Sequence, residues 1–329
     1  MGNVNEQINK PPILSGIVIQ MDFVYNDIKP LAPMYEEREV STMELSITLE
    51  YLEKGKAAFT GRSLDLAAAL CSEAGIRFVD YTSNFNDDQY TDLAKRERDI
   101  LDAHGITVQQ CHAPFNRYGS YPTSEEFRKR FSASFEVAKI LGAKYMVVHA
   151  DELHPSGDIW DVQDLINRNY DDLAPFAEFC KKNGMVMAIE NLFEDKTWRV
   201  PQVEGKSRFT SRVEEQIGLI DRFQDPCVAA CWDFGHACCA FGKDDMTEAL
   251  RSLGGRLVCT HVHDNNYRQD NHLIPFLGEI DWKAQMRTLR EIGYDGKLSF
   301  EFVYGHIPDN IVRNYLRYIV SVGNELLTY

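Results

Sequence analysis

The chain has 329 residues, 44% hydrophobic and 26% charged, enough for one large or two medium globular domains with a substantial core. Fifty acidic against 35 basic side chains leave a formal charge of -15, which repels phosphate backbones and anionic membranes at long range and disfavours nucleic acid as a partner. No apolar run reaches membrane-span length, and the start Met1-Gly2-Asn3-Val4-Asn5-Glu6 lacks the basic residues and apolar core of a signal peptide, so a cytoplasmic location is expected.

Residues 1–43 stand apart as an N-terminal arm, with Pro11, Pro12, Pro30 and Pro33 and no helical period. Its apolar run Gly16 to Tyr25 is expected to pack on the body of the protein or on a neighbouring subunit of a homo-oligomer. From residue 44 to 329 the pattern becomes regular: a short β-rich run, a loop, then an amphipathic helix. The strand candidates are 45–49, 77–81, 107–112, 145–149, 186–191, 229–233, 258–263 and 298–302. Helices are expected over 63–74, 92–104, 124–141, 166–182, 211–223, 246–253, 282–292 and 311–326, several of them stopped by Gly75, Gly105, Gly142, Gly184 or Gly293. Eight such units predict an α/β fold, a (β/α)8 TIM barrel with an N-terminal extension. A doubly wound open sheet is the lesser possibility, and in both folds the loops after the strands carry the chemistry. The eight cysteines form no C-x-x-C pair and sit mostly in apolar runs, as buried free thiols do.

Six of the nine histidines, His112, His149, His236, His261, His263 and His272, fall at or just past the end of a predicted strand. Strand ends in a barrel converge on one mouth, so these residues become neighbours there. The fifth and eighth strands, Met185 to Asn191 and Lys297 to Phe302, each end an apolar run with a lone glutamate, Glu190 and Glu301. A carboxylate in that position needs a cation or a hydrogen-bond network. Asp233 ends the sixth strand, where a helix N-cap is the bland explanation, and His261 lies on the seventh. Glu190, Asp233, His261 and Glu301 together make an oxygen-rich set with one nitrogen, suited to a single Mn²⁺, Mg²⁺, Co²⁺ or Zn²⁺ ion with positions open for substrate. Trp160, Trp198 and Trp232 are candidate sugar-stacking surfaces, and Arg199, Arg208 and Arg268 candidate anion contacts.

The segments His112-Ala-Pro-Phe115, Glu190-Asn191, Asp233-Phe-Gly-His236, His261-Val-His-Asp-Asn265, Asp270-Asn-His272, Leu277 to Trp282 and Ser299-Phe-Glu301 resemble, in combination, the xylose-isomerase-like TIM barrel superfamily. That group includes sugar and sugar-phosphate isomerases and epimerases, inosose dehydratase and endonuclease IV. The resemblance implies that Glu190, Asp233, His261 and Glu301 bind one divalent metal, that the two glutamates move protons through a metal-stabilised enediolate, and that His236 contacts a small carbohydrate substrate. In the endonuclease IV branch a three-zinc cluster uses further positions, whose counterparts here are His112, His149, His236, Asp270 and His272. Against that branch stand the acidic charge and Glu190 to Asp195, which departs from the small, glycine-bearing sequence found there. The same residues also accommodate a dehydratase or lyase, or a barrel that has become a non-catalytic binding subunit.

Overall fold

The structure is a computed structural model that describes residues 43–53, 62–86, 88–115, 124–150, 160–194, 206–302 and 307–329. The expected arm, residues 1–43, lies outside these apart from Met43. Eight parallel strands form one sheet: β1 (Glu44–Thr48), β2 (Phe78–Asp80), β3 (Thr107–His112), β4 (Tyr145–Val148), β5 (Val186–Glu190), β6 (Val228–Asp233), β7 (Leu257–His261) and β8 (Lys297–Phe300). Neighbours follow sequence order, and β8 returns to pair with β1, with Leu45 opposite Leu298. Val262 bridges to Phe300 and Val262 N–H donates to Ser299 O at 2.7 Å, bringing β7 to β8. This closed order is that of a (β/α)8 barrel and sets the open sheet aside.

Helices α1 (Leu49–Glu53), α2 (Leu64–Ala74), α3 (Tyr90–Ala103), α4 (Ser124–Leu141), α5 (Val162–Asn183), α6 (Val213–Phe223), α7 (Phe234–Leu253), α8 (Trp282–Glu291) and α9 (Asp309–Leu326) follow the strands. Local chemistry sets their ends. Ser63 Oγ accepts from Leu66 N–H at the start of α2, and Asp161 Oδ1 accepts from Gln163 and Asp164 N–H at the start of α5. Gly75 and Gly184 close the same two helices in the left-handed region, at φ 84° and 69°, where a side chain would be strained. The expected helix over 246–253 is the second half of a longer element. Helix α7 begins immediately after β6 because Asp233 caps it, and it kinks at Gly242, so His236 lies in its first turn and not on a connecting loop.

Strand alternation sorts the buried side chains into two sets. Met146, Val148, Met187, Ile189, Ala230 and Trp232 face outward into the main core beneath the helices. Tyr145, Val147, Ala188, Cys231 and Cys259 form a second, smaller apolar cluster inside the barrel. Glu190, Asp233 and His261 stand two residues beyond Ala188, Cys231 and Cys259, so the same alternation sends them inward, above that cluster. All eight cysteines are free thiols. No helix among the described residues is long and apolar enough to cross a membrane.

Where α4 packs on α5, Phe131 of α4 is fully buried, with its ring edge-on to Phe176 at 4.8 Å and tilted against Phe127 and Phe135. Phe131→Ala is expected to lower unfolding free energy by about 3–5 kcal/mol. Urea denaturation checks this, and a loss below about 1 kcal/mol would show that the aromatic cluster repacks around the gap.

Candidate metal centre

The barrel brings together every metal-ligating and catalytic candidate expected from the sequence. Glu190, 1% exposed, is the hub. Its Oε1 lies 2.8 Å from His261 Nδ1, and its Oε2 lies 3.1 Å from His112 Nε2 and 2.9 Å from His149 Nε2. Around the same His261 Nδ1 stand Glu301 Oε2 at 3.5 Å and Asp233 Oδ2 at 3.7 Å. A second group adjoins it. Asp270 Oδ2 lies 3.0 Å from His272 Nε2 and 3.6 Å from His236 Nε2. A cavity of about 230 Å³ opens above, lined by His112, Phe115, His149, Glu190, His236, Asp270, His272 and Glu301. Asp233 and His261 are buried at its base.

Local hydrogen bonds hold these side chains in place. Asn191 clamps β5 to β6: Asp233 N–H donates to its Oδ1 at 2.7 Å, and its Nδ2 donates to Asp233 O at 2.9 Å. Asp233 is both the N-cap of α7, accepting from His236 N–H at 2.6 Å, and a member of the cluster, so capping and site roles coexist in one side chain. After β7, Asp264 accepts from the N–H groups of Asn265, Phe276 and Ile280 and from Trp282 Nε1. That folds the following loop back across the mouth and delivers Asp270 and His272. His272 sits at φ 49°, a left-handed conformation that costs a non-glycine residue on the order of 1–3 kcal/mol. Its Nδ1 reaches Glu301 O at 2.9 Å.

The donor set fits a divalent cation on its own chemistry. A neutral imidazole carries one N–H, yet four of these rings each face two acceptors. One nitrogen meets an outer acceptor: His112 Nδ1 meets Ala113 O, His236 Nδ1 meets Asn191 O, His272 Nδ1 meets Glu301 O, and His261 Nε2 meets Asp80 Oδ2 at 3.0 Å. The other nitrogen points at the carboxylates inside. Metal-bound histidines are held in this way, one nitrogen on an outer acceptor and the other on the ion. The carboxylates also draw protons onto these rings. Burial opposes protonating His261, His236 and His272, but Glu190, Asp233, Asp270 and Glu301 outweigh it, raising His261 well above its ordinary value, His236 to about 10 and His272 to about 9. Conversely, burial would raise Glu301, while the charges of His261, His272 and His263 bring it down to about 2. Glu190 and Asp270 are lowered against burial by their own histidines. Oxygen and nitrogen donors lie within 4.8 Å of one another in the sets His112, His149, Glu190 and Asp233, His261, Glu301.

Asp80, at the end of β2, is a site residue that the sequence pattern did not single out. It is 3% exposed, accepts from Gln110 Nε2 at 3.0 Å, and sets the ring of His261 from behind. The trace of it in the sequence is faint: Asp80 follows Val79, which is buried in the outer core, in a strand of only three residues. Neither described tryptophan among the stacking candidates lines the cavity. Trp160 Nε1 donates to Glu215 at 3.0 Å and Trp232 stacks on Phe241 in the outer core. Phe115, against His112 and His149 at 5.1 Å each, lines it instead. Of the candidate anion contacts, Arg268 is exposed outside the lining, Arg208 donates its backbone N–H to Glu194, and Trp198 and Arg199 fall outside the described residues. Asp80→Ala removes the outer acceptor of His261, and its divalent-metal affinity is expected to fall about 10- to 100-fold with the fold intact. Competition against a chelating dye measures the effect, and unchanged affinity would count against it.

The xylose isomerase-like TIM barrel family model matches residues 68–321. An uncharacterized protein of Methanocaldococcus jannaschii, MJ1311, is 26% identical over 196 residues, spanning 58% of this chain and 62% of that protein. Fructoselysine 3-epimerase of Escherichia coli O157:H7 is 22% identical over 204 residues, 60% of this chain and 67% of the enzyme. Among solved structures, D-psicose 3-epimerase in the presence of D-fructose superposes with a TM-score of 0.66 at 14% identity, covering 87% of this chain and 99% of that one. The IolI protein with a bound zinc atom superposes with a TM-score of 0.59 at 17% identity, covering 86% and 96%. The chain belongs to the xylose isomerase-like TIM barrel family.

Proposed function

We propose that the chain is a divalent-metal-dependent isomerase or epimerase acting on a sugar or sugar derivative. The observation that carries this reading is the meeting of Glu190 and Glu301 at one imidazole nitrogen, 2.8 and 3.5 Å from His261 Nδ1, where both also face the cavity. Glu190, Asp233, His261 and Glu301 would hold one Mn²⁺, Mg²⁺, Co²⁺ or Zn²⁺ ion. Bound there, the ion supplies Lewis acidity to a substrate carbonyl and its neighbouring hydroxyl.

The chain's own groups do the remainder. One of the two glutamates accepts the carbon-bound proton, and the other returns a proton to the same carbon from the opposite face, which inverts that centre. Return to the adjacent carbon gives an aldose–ketose interconversion instead. His236, Asp270 and His272 turn polar atoms into the cavity and are placed to hold substrate hydroxyls, while Phe115 offers an apolar wall to carbon-bound hydrogens. The likeness to fructoselysine 3-epimerase and to the fold of D-psicose 3-epimerase supports a carbohydrate substrate, and the IolI structure supports the metal.

One observation favours a second reading, an endonuclease IV-like phosphodiesterase with up to three zinc ions. His112 and His149 both reach Glu190 Oε2, and His236 and His272 both flank Asp270, so donors exist for more than one ion. Metal content separates the readings: about one ion per chain fits the sugar enzyme and about three the phosphodiesterase. A lyase acting on a keto-inositol differs from the first reading in losing hydroxide in place of the returned proton.

With metal-loaded protein in heavy water and a panel of ketoses, aldoses, their phosphates and keto-inositols, deuterium is expected at one substrate carbon. Glu190→Gln and Glu301→Gln should each cut that incorporation by about 100- to 10,000-fold while the barrel stays folded. Undiminished exchange in either variant would sink the proposal.

A further inference from the structure

Resting on the reading of this cluster as a metal centre, we propose that His263 is a positioning residue whose Nε2–H locks Asp233 in its ligating orientation. His263 is fully buried two residues beyond His261. Its Nε2 lies 3.1 Å from both carboxylate oxygens of Asp233 and 3.7 Å from Asp270 Oδ1. Carboxylates only accept hydrogen bonds, so the proton belongs on Nε2. The other nitrogen, Nδ1, is buried without a hydrogen-bond partner among the described residues. An orphaned lone pair is the less costly of the two ways to bury an imidazole, and it is accepted here to aim the single N–H at the Asp233 carboxylate.

The surroundings fix the plane of this ring. One face stacks on His272 at 4.1 Å with planes 12° apart, and His236 stands edge-on at 6.2 Å. The ring also presses on the first turn of α7, where a Cβ added to Gly235 would fall 1.7 Å from His263 Cε1. Only glycine at 235 makes room. Asp233 is thereby held at two points: Oδ1 takes His236 N–H at 2.6 Å, and the Nε2–H of His263 straddles both oxygens. The carboxylate cannot turn about its Cβ–Cγ bond without losing one of them, so Oδ2 stays on the His261 side, 3.7 Å from His261 Nδ1. Because His263 comes from the segment after β7 and Asp233 from β6, this N–H also braces one strand end against the next.

The test uses the full chain, stripped with a chelator and titrated with Co²⁺ alone, reading the visible absorption band and the affinity together. Two variants of similar volume separate donor from packing: His263→Met fills the space without an N–H, and His263→Gln restores one at the same reach. His263→Met is expected to bind Co²⁺ about 10- to 100-fold more weakly with an altered band. His263→Gln should return to within about threefold of the wild type. Circular dichroism of the metal-free proteins shows that each variant is folded. Equal binding by His263→Met and wild type overturns the inference, and so does His263→Gln binding as weakly as His263→Met, which would make the ring itself a ligand or mere packing. Wild-type protein that binds no Co²⁺ would bring down the metal centre instead, and this inference with it.

Discussion

Carboxylates cannot be buried together without positive charge among them, and that constraint governs the mouth of this barrel. Glu190 is nearly sealed from solvent, and its two oxygens are met by the imidazoles of His261, His112 and His149. Asp80, Asp233, Asp270 and Glu301 stand in the same volume, each against at least one imidazole. Imidazole can hold a proton or offer a lone pair. Histidines suit such a cluster because the same ring can balance a carboxylate as a cation or offer a lone pair to one, whereas arginine can only do the first.

The barrel is what makes so many charges tolerable. Parallel strands with a two-residue alternation aim Glu190, Asp233 and His261 inward above the apolar plug of Tyr145, Val147, Ala188, Cys231 and Cys259. The register that sets Asp233 beside His261 and Glu190 beside Cys231 then places donors from different strands at one height. Rigidity comes from the outer acceptors. Carbonyls of Ala113, Asn191 and Glu301 and the carboxylate of Asp80 each take one ring nitrogen, so the inward nitrogen of each ring is aimed before any ligand arrives.

Most of this architecture is legible in the sequence because the signals are local. Strand β3 has the bounds its β-rich run implies, and the others shift by a residue or two at their ends. Glu190 and Glu301 stand out as lone carboxylates closing apolar strands. Asp80 escapes for a plain reason: β2 has three residues, Phe78–Asp80, too few for alternation to distinguish an inward aspartate from an ordinary polar loop residue. Periodicity reveals only the second half of helix α7, because Gly235 and Gly242 dilute the helical pattern over its first half and the cap that starts it, Asp233, also reads as the end of a strand. His263 reads as a neighbour of His261 at the strand end but acquires no role from the pattern, since its partner Asp233 lies on another strand.

By itself the order of residues determined the eightfold strand and helix repeat and the collection of imidazoles and carboxylates at one rim, because periodicity and strand endings are properties of neighbouring residues. Which nitrogen of each ring faces the cavity, which aspartate steadies which histidine, and how one cavity gathers Glu190 and Glu301 from strands separated by β6 and β7 were decided only by closure of the barrel. Those are distances between residues 30 to 181 positions apart, such as His263 to Asp233 and His261 to Asp80. Contacts at that separation depend on strand register and sheet curvature, which no local pattern encodes.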